Sequence, residues 1–457
     1  MTTRPWRMAR HAPMPRQWNV RAGDVYALVG ANALIIAAMW LRHGGTDQFS
    51  TLSGTISAIG QLTALLGTYA ALLQLVLMSR NPWLEQVFGM DRVAWAHRWL
   101  GFATVWLLLG HAAGTTVGYA LGDGSSLIDE AWTFLTTYQF VLMATVGMGL
   151  FVAIAVSSVR YARHRISYET WHGIHLYAYL AIALAFMHAL VVGTDFKDDP
   201  IARIYWIGLY VIAAGLILTF RFGAPIRLNL RHRMRVANVV QEAPDTVSVY
   251  IAGRDLDRLP VRAGQYFQWR FLTPDGWWRA HPYSLSAAPN GEWLRITIKD
   301  LGDDSFAASR LPVGTRVFAE GPYGGFTGAS RKRDRVLLVA GGIGVTPLRA
   351  LLEELPGDAG DIALLYRARR WSDVVFRDEL DALAGLRGTT VRYLVGRAGH
   401  EVPTDPLSAA WLRRYVPDVL ERDVYVCGPV AMMAAVTASL KSLGVPASQV
   451  HQESFTY

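Results

Sequence analysis

Four histidines stand in two matched pairs. His97 and His111 lie fourteen residues apart in one apolar stretch, and His175 and His188 lie thirteen apart in another. At ~1.5 Å rise per residue, each pair is separated by roughly 20 Å along a helix. Imidazole is a good axial ligand for heme iron, and two of them fill both axial positions. Two packed helices of this kind are expected to hold two hemes one above the other, His97 with His175 and His111 with His188, as a wire for electrons through a bilayer. A fourteen-residue step falls only about 40° short of four turns, so His97 and His111 share a face. A thirteen-residue step falls about 140° short. The second helix is therefore expected to contain an irregularity such as a π-bulge, or the hemes to be approached from different sides. His172 competes for the inner position, but its sixteen-residue offset from His188 fits no better.

Other residues could hold organic cofactors. His281, Pro282, Tyr283 and Ser284 follow one strand-like run and open another, so an aromatic ring there could stack on a flavin while a hydroxyl bonds its phosphate or ribitol. Downstream, Lys299, Gly302 and Ser305 could meet a pyrophosphate; either stretch alone also reads as an ordinary β-turn. The run Val-Ala-Gly-Gly-Ile-Gly-Val-Thr-Pro (339–347) lies between a strand and a helix, where Gly342 and Gly344 would let backbone amides approach a diphosphate beside Thr346 and Pro347;. It is not the dinucleotide fingerprint of alternating glycines. Cys427, Gly428 and Pro429 end a later strand, where open α/β sheets place ligands. Cys427 also reads as a small buried apolar residue.

The elements that must position these residues fall into two textures. Six segments are almost free of charge: Val25–Leu41, Leu52–Met78, Val93–Gly118, Thr133–Ser157, Thr170–Gly193 and Ile204–Phe220. Each is near the ~17–25 residues needed to cross a bilayer as a helix. Arg4, Arg7, Arg10, Arg16 and Arg21 precede the first, Arg160, Arg163 and Arg165 lie between the fourth and fifth, and Arg221, Arg227, Arg231, Arg233 and Arg235 follow the sixth. The opposite loops carry Asp123, Asp129, Glu130, Asp195, Asp198 and Asp199, so both termini are expected in the cytoplasm. The net charge of +8 thus reads as membrane orientation and not as nucleic-acid binding. The first span is expected to be retained, because no small-residue cleavage pattern follows it. A single cysteine, Cys427, excludes an internal disulfide and a thiolate-held iron–sulfur cluster;.

After Phe220, runs such as 246–251, 265–271 and 293–298 are β-branched or aromatic and bounded by turn residues, as short strands are. From about Asp334, strands alternate with helices, which argues a parallel α/β domain. Arg367, Arg369 and Arg370 follow its second strand, where arginines can pair with a 2′-phosphate and so favour NADPH over NADH. A solvated basic loop would look the same.

Taken together and in this order, the four histidines, His-Pro-Tyr-Ser (281–284), Gly-Pro-Tyr-Gly-Gly-Phe (321–326), the glycine turn and Cys-Gly-Pro (427–429) resemble the NADPH oxidase and ferric reductase superfamily. The resemblance runs from the third span to the C-terminus. It implies a multidomain membrane protein: a six-helix transmembrane bundle with two b-type hemes (1–225), a FAD-binding antiparallel β-barrel (226–330) and an α/β nicotinamide-binding domain (331–457). FAD would sit on His281, Tyr283, Ser284, Lys299 and Ser305, and NADPH across Gly342, Gly344, Thr346, Pro347, Cys427 and Gly428. His281 stands where ferredoxin reductases have arginine and the oxidase branch has histidine. The terminal Gln-Glu-Ser-Phe-Thr-Tyr (452–457) resembles the family's flavin-covering segment. By alignment Phe455 covers the ring, with Tyr457 as substitute, and Phe455 and Cys427 are the residues implied at the catalytic centre. Neither a calcium-binding loop nor an activator segment is seen, so activity is expected to be constitutive. The expected reaction moves electrons from cytosolic NADPH through FAD and both hemes to an outside acceptor. Oxygen, giving superoxide, is favoured; a ferric chelate or a docked acceptor protein would use the same wire.

Overall fold

Helix starts in the first half are set by side-chain caps and proline. Thr51 Oγ1 accepts from the Gly54 amide (3.0 Å), Ser167 Oγ from Thr170 (3.1 Å), and Asp199 from Ile201 (2.8 Å), with Pro200 in the first helical turn;. The computed structural model describes residues 20–197, 199–300 and 310–453. It divides into two units, Trp18–Gly223 and one built mainly from Ala224–Tyr457. The first holds six long apolar helices: α1 (Ala22–Arg42), α2 (Leu52–Met78), α3 (Met90–Asp123), α4 (Val141–Ser158), α5 (Tyr168–Val192) and α6 (Pro200–Leu216). Through a π turn at Ile217–Gly223, α6 continues into α7 (Ala224–His232), and counted with that continuation all six are long and apolar enough to cross a membrane.

Two expectations about these helices are corrected. The segment 133–157 is not one helix: a separate helix, Leu127–Thr137, capped by the Ser126 hydroxyl, ends before Tyr138, and α4 starts only after Phe140. The left-handed backbone of Phe140 (φ 62°) turns the chain there;. Nor does α5 contain a π-bulge; it is α-helical throughout, and the π turn lies after α6 instead.

α2 and α3 approach closely because glycine faces small residues. Gly110, Gly114, Gly118 and Gly122 recur every fourth residue along α3. A Cβ on Gly114 would lie 3.1 Å from Gly60 Cα, and one on Gly118 would lie 2.9 Å from the Ser57 nitrogen. Small residues at fourfold spacing are how membrane helices bring backbones together.

The second unit begins with two antiparallel sheets. One has the order β1 (Arg235–Ala243), β2 (Thr246–Ala252), β5 (Trp293–Lys299), and the other β4 (His281–Ser284), β3 (Tyr266–Phe271), β6 (Val317–Tyr323). Bridges Leu285↔Ile296 and Arg235↔Arg316 join them around one core that includes Val249, Phe267, Trp269, Leu285, Ile296 and Ala319. Strict alternation along β3 puts Phe267, Trp269 and Phe271 inside;. A parallel sheet follows, in the order β11 (Val450–Glu453), β10 (Arg422–Cys427), β7 (Arg335–Gly341), β8 (Ile362–Ala368), β9 (Thr390–Val395). Because β8 lies on one side of β7 and β10 on the other, chain direction across the sheet reverses between β7 and β10, the place where such sheets open a ligand crevice.

The two lobes of this unit are tied by charge. Helices α8 (Val345–Glu354) and α9 (Arg377–Arg387) supply Glu353, Glu354 and Glu379. Glu353 accepts from the Ala288 amide (2.8 Å) and Glu354 from Ala263 (2.9 Å). Arg295, fully buried on β5, donates to both oxygens of Glu379 (2.7 and 3.0 Å), which Arg349 meets from α8 at 2.9 Å.

Candidate functional site

The four histidines come together as two pairs. Ring centroids of His97 and His175 are 5.8 Å apart, and those of His111 and His188 are 6.4 Å apart. Metal–imidazole bonds of about 2.0–2.1 Å on opposite sides of one ion would set the centroids roughly 6 Å apart. The thirteen-residue offset on α5 is thus absorbed with no backbone irregularity. Nδ1 of His97, His175 and His188 is buried with no hydrogen-bond partner, a state that costs about 1–3 kcal/mol per group unless something else satisfies the ring. His111 differs: its Nδ1 lies 3.1 Å from the Gly60 carbonyl. A carbonyl oxygen only accepts, so Nδ1 carries the proton and Nε2 keeps the lone pair that a metal needs. Among the described residues no group of three or more His, Cys, Asp or Glu could hold an ion. Two ligands per site suit an iron whose other four positions come from a porphyrin, so the residues fit heme.

Thr104 stands seven residues from each histidine of α3 and is fully buried. Its hydroxyl donates to the Leu100 carbonyl (2.8 Å) and accepts from Gln74 Nε2 on α2 (3.0 Å). Neither Gly60 nor this pair was singled out by sequence; the isolated amide and hydroxyl in apolar spans, and the fourfold glycine repeat, were the available signals. At the ends of α1 and α6, Arg42 and His43 both meet Asp199 (3.4 and 3.0 Å). The His43 bond, and then the Ile201 amide, hold the Asp199 carboxyl below its usual range.

On β4, the rings of His281 and Tyr283 lie nearly parallel, 5.9 Å apart, as side chains two residues apart on a strand do;. Burial, and then Arg279, push the His281 imidazole down, so it is neutral at pH 7. Trp269 Nε1 donates to the Tyr283 carbonyl (2.9 Å) and fixes the strand. Ser284 points the other way, and its buried Oγ has no hydrogen-bond partner. An unpaired buried hydroxyl at this point fits a flavin's ribityl or phosphate oxygen. Lys299 meets Asp245 at 3.1 Å. Gly302, Ser305, Phe455 and Tyr457 lie outside the described residues.

The glycine turn and Cys-Gly-Pro are packed on each other. Gly342 takes φ 54° directly after β7, a left-handed conformation that glycine adopts without steric cost. A Cβ on Gly344 would lie 2.4 Å from the Cys427 carbonyl oxygen, and one on Gly341 would lie 2.9 Å from Pro429. The ends of β7 and β10 therefore touch backbone to backbone, with Thr346 and Pro347 buried in the first turn of α8. Burial, and then Glu453, push the Cys427 thiol well up, so it stays protonated and is no thiolate nucleophile. Arg367 lies within β8, where its guanidinium donates to the Leu394 and Gly396 carbonyls (2.8 Å each) and to Ala368, stapling β8 to β9. Arg369 and Arg370 remain exposed beyond it.

Residues 63–186 match the family described as ferric reductase like transmembrane component, and residues 338–438 match the oxidoreductase NAD-binding domain. The chain is 30% identical over 240 residues to a glycine betaine monooxygenase reductase subunit of Chromohalobacter salexigens, covering 50% of this chain and 65% of that one. It is 33% identical over 233 residues to a flavohemoprotein of Pseudomonas putida, covering 48% and 58% respectively. The chain therefore covers less than two thirds of either curated relative's length. A solved flavohem-like FAD/NAD-binding domain of nitric oxide dioxygenase from Vibrio cholerae aligns with 49% of this chain and 99% of its own, at 24% identity and a TM-score of 0.40. The chain thus joins a ferric-reductase-like transmembrane component to a NAD-binding domain of the ferredoxin-reductase type, consistent with the architecture of the NADPH oxidase and ferric reductase superfamily.

Proposed function

We propose that this protein is a transmembrane oxidoreductase that carries electrons from cytoplasmic NADPH through FAD and two b-type hemes to an acceptor outside. The observation that carries the reading is the facing of His97 with His175 and of His111 with His188 inside a unit of six apolar helices. When bound, FAD supplies hydride acceptance with one-electron release, and the hemes supply one-electron transfer. The chain's own residues bind and orient. His97 and His175 would hold the inner iron, and His111 and His188 the outer one, with Gly60 fixing the His111 tautomer. Tyr283 and the neutral His281 would flank the flavin, Ser284 would bond its polar tail, and Lys299, Gly302 and Ser305 would hold the diphosphate. Gly342, Gly344 and Thr346 line the nicotinamide crevice against Cys427, Gly428 and Pro429. There Cys427 acts as a small neutral wall, and Phe455 or Tyr457 covers the flavin. Arg369 and Arg370 take the 2′-phosphate in place of Arg367. The three parts are 1–225, 226–330 and 331–457, with both termini and both nucleotide lobes on the cytoplasmic side, where the arginines lie.

With His97, His175, His111 and His188 holding the irons, the hemes would supply one-electron transfer to an acceptor that does not itself bind the heme iron. Oxygen, yielding superoxide, is the favoured acceptor. The ferric-reductase-like match of residues 63–186 supports a ferric chelate as second reading. The test is anaerobic reduction of the FAD-supplied protein by NADPH, followed by stopped-flow heme reoxidation. Fast reoxidation by oxygen with superoxide release makes it an oxidase; reoxidation by the chelate alone makes it a metal reductase. If NADPH never reduces a heme, the wire is wrong.

A further inference from the structure

The antiparallel lobe exposes an apolar and cationic edge that no part of the electron path uses. Between β3 and β4 the loop of residues 272–280 leaves Leu272 42% exposed, Trp277 59% and Trp278 49%; the next loop on that edge adds Val313 at 68%. The two loops are adjacent, because the Leu272 amide donates to the Arg316 carbonyl at 2.9 Å. Arg235 joins them by bridging to Arg316 and donating to the Gly314 carbonyl at 3.0 Å. Arg279 lies 6.0 Å from the Trp278 ring centroid. Residues 272–280 and 310–316 contain Arg279, Arg310 and Arg316 against one acid, Asp275.

We propose that this edge docks on the headgroup layer of an anionic bilayer leaflet. Tryptophan combines an apolar ring with a polar N–H and is enriched at membrane–water interfaces, while neighbouring arginines meet lipid phosphates. A run of two exposed tryptophans flanked by arginine has both halves of that chemistry. α7 follows the last apolar helix and is clamped to β6, the strand that starts directly after Arg316: Asn229 Nδ2 donates to the Ala319 carbonyl (2.7 Å), and the Ala319 amide donates back to Asn229 Oδ1 (2.9 Å). α7 itself exposes Ile226 and Leu230, one turn apart, beside Arg227 and Arg231; a short helix with this pattern suits an interface. The proposal rests on the six helices crossing a bilayer and is independent of which acceptor takes the electrons.

The single native thiol, Cys427, is fully buried, so an introduced cysteine can be labelled alone. The full chain carrying Trp277→Cys, labelled with an environment-sensitive fluorophore, is placed in nanodiscs of phosphatidylglycerol and phosphatidylcholine containing nitroxide-bearing lipid. Trp278→Cys is the second reporter if the first fails to fold, and heme content with flavin reduction verifies folding. The reference is Leu386→Cys on α9, an exposed position outside the edge. Quenching by nitroxide lipid is expected to be at least twofold greater at 277 or 278 than at 386, and to shrink when phosphatidylglycerol is omitted. Equal quenching at the edge and at 386 would overturn the proposal. So would protection of the edge label that appears only when two copies share one disc, which would assign the edge to a second chain.

Discussion

The two units expose opposite kinds of side chain. In the Trp18–Gly223 unit, Leu34, Trp106 and Ile204 face outward while Ser57, Thr104 and small residues line the helix contacts; from Ala224 onward, leucine, valine and aromatic residues fill the core and charges face out. Lipid gives no reward for hiding leucine, so packing there relies on close backbone approach and a few hydrogen bonds. Water does give that reward, at about 25 cal/mol per Å² of apolar surface. In the nucleotide-binding unit even the buried guanidinium of Arg295 meets a carboxylate. In the helical unit, five buried side-chain polar atoms among the described residues have no hydrogen-bond partner, and three of them are imidazole nitrogens. Three of those five thus belong to residues proposed to hold a ligand.

The largest effect should come from the helical unit. His188→Leu or His175→Leu is expected to halve the heme content measured as pyridine hemochrome, while NADPH still reduces the flavin. Retention of both hemes in both variants would falsify the ligand assignment. The loss should be local because neither ring takes part in the core of the other unit.

Next comes the charge tie between the lobes. Glu379→Gln leaves Arg295 and Arg349 buried without their shared carboxylate, and breaking such a pair costs about 3–5 kcal/mol. Urea unfolding followed by flavin fluorescence should show that loss in the nucleotide-binding unit, with heme spectra unchanged. Burial pushes the Glu379 carboxyl up, but the Arg295 and Arg349 guanidiniums outweigh it and hold the group below its ordinary range. A depressed carboxyl contributes stability that is fully present above its unfolded value near pH ~4.3 and is lost as pH falls through the folded value. Wild type should therefore lose stability in the acid range more steeply than the Gln variant. Parallel acid limbs would show that the carboxylate contributes nothing.

Smaller still is the glycine comparison. Gly344→Ala drives a methyl group to 2.4 Å from the Cys427 carbonyl, against fixed backbone. Overpacking of this kind costs about 1–3 kcal/mol, and here it parts the ends of β7 and β10. KM for NADPH should rise at least tenfold with the heme spectrum intact. Gly114→Ala meets Gly60 Cα at 3.1 Å, a gap that a few tenths of an ångström relieve. It should cost less, yet it should move the His111 side chain, which leans on the Gly60 carbonyl. A shift in the potential of one heme and not the other, read by redox titration, is the expected signature.

Much of this was legible in the residue order because it is local. The histidine spacing, the glycine turn and the alternation of β3 each follow from neighbours within a few turns or strand steps. What escaped depends on distant partners. Gly60 meets His111 across 51 residues, and Arg295 meets Glu379 across 84, so neither has a sequence signal beyond its own type. The break at Phe140 escaped although Thr136, Thr137, Tyr138 and Gln139 interrupt the apolar run before it, because none of them carries a charge. Arg367 reads in sequence as following the second strand, but it lies inside β8. Its side chain bonds carbonyls that become available only when β9 pairs alongside.

The smallest expected effect separates two roles for one lysine. Lys299 ends β5 opposite Thr246 and meets Asp245 at 3.1 Å. Burial pushes the Asp245 carboxyl up, but Thr246 and Lys299 together outweigh it and bring it below its ordinary range. If that partly exposed pair is all Lys299 does, Lys299→Gln should cost less than about 1 kcal/mol and leave FAD affinity unchanged. If Lys299 turns to the flavin diphosphate, removing one charge-assisted contact should weaken FAD about tenfold, or roughly 1.4 kcal/mol. Asp245→Asn then decides between the two: freed from its carboxylate, a lysine that serves the diphosphate should bind FAD more tightly and with a steeper salt dependence. A lysine that serves only Asp245 should leave both the affinity and its salt dependence where they were.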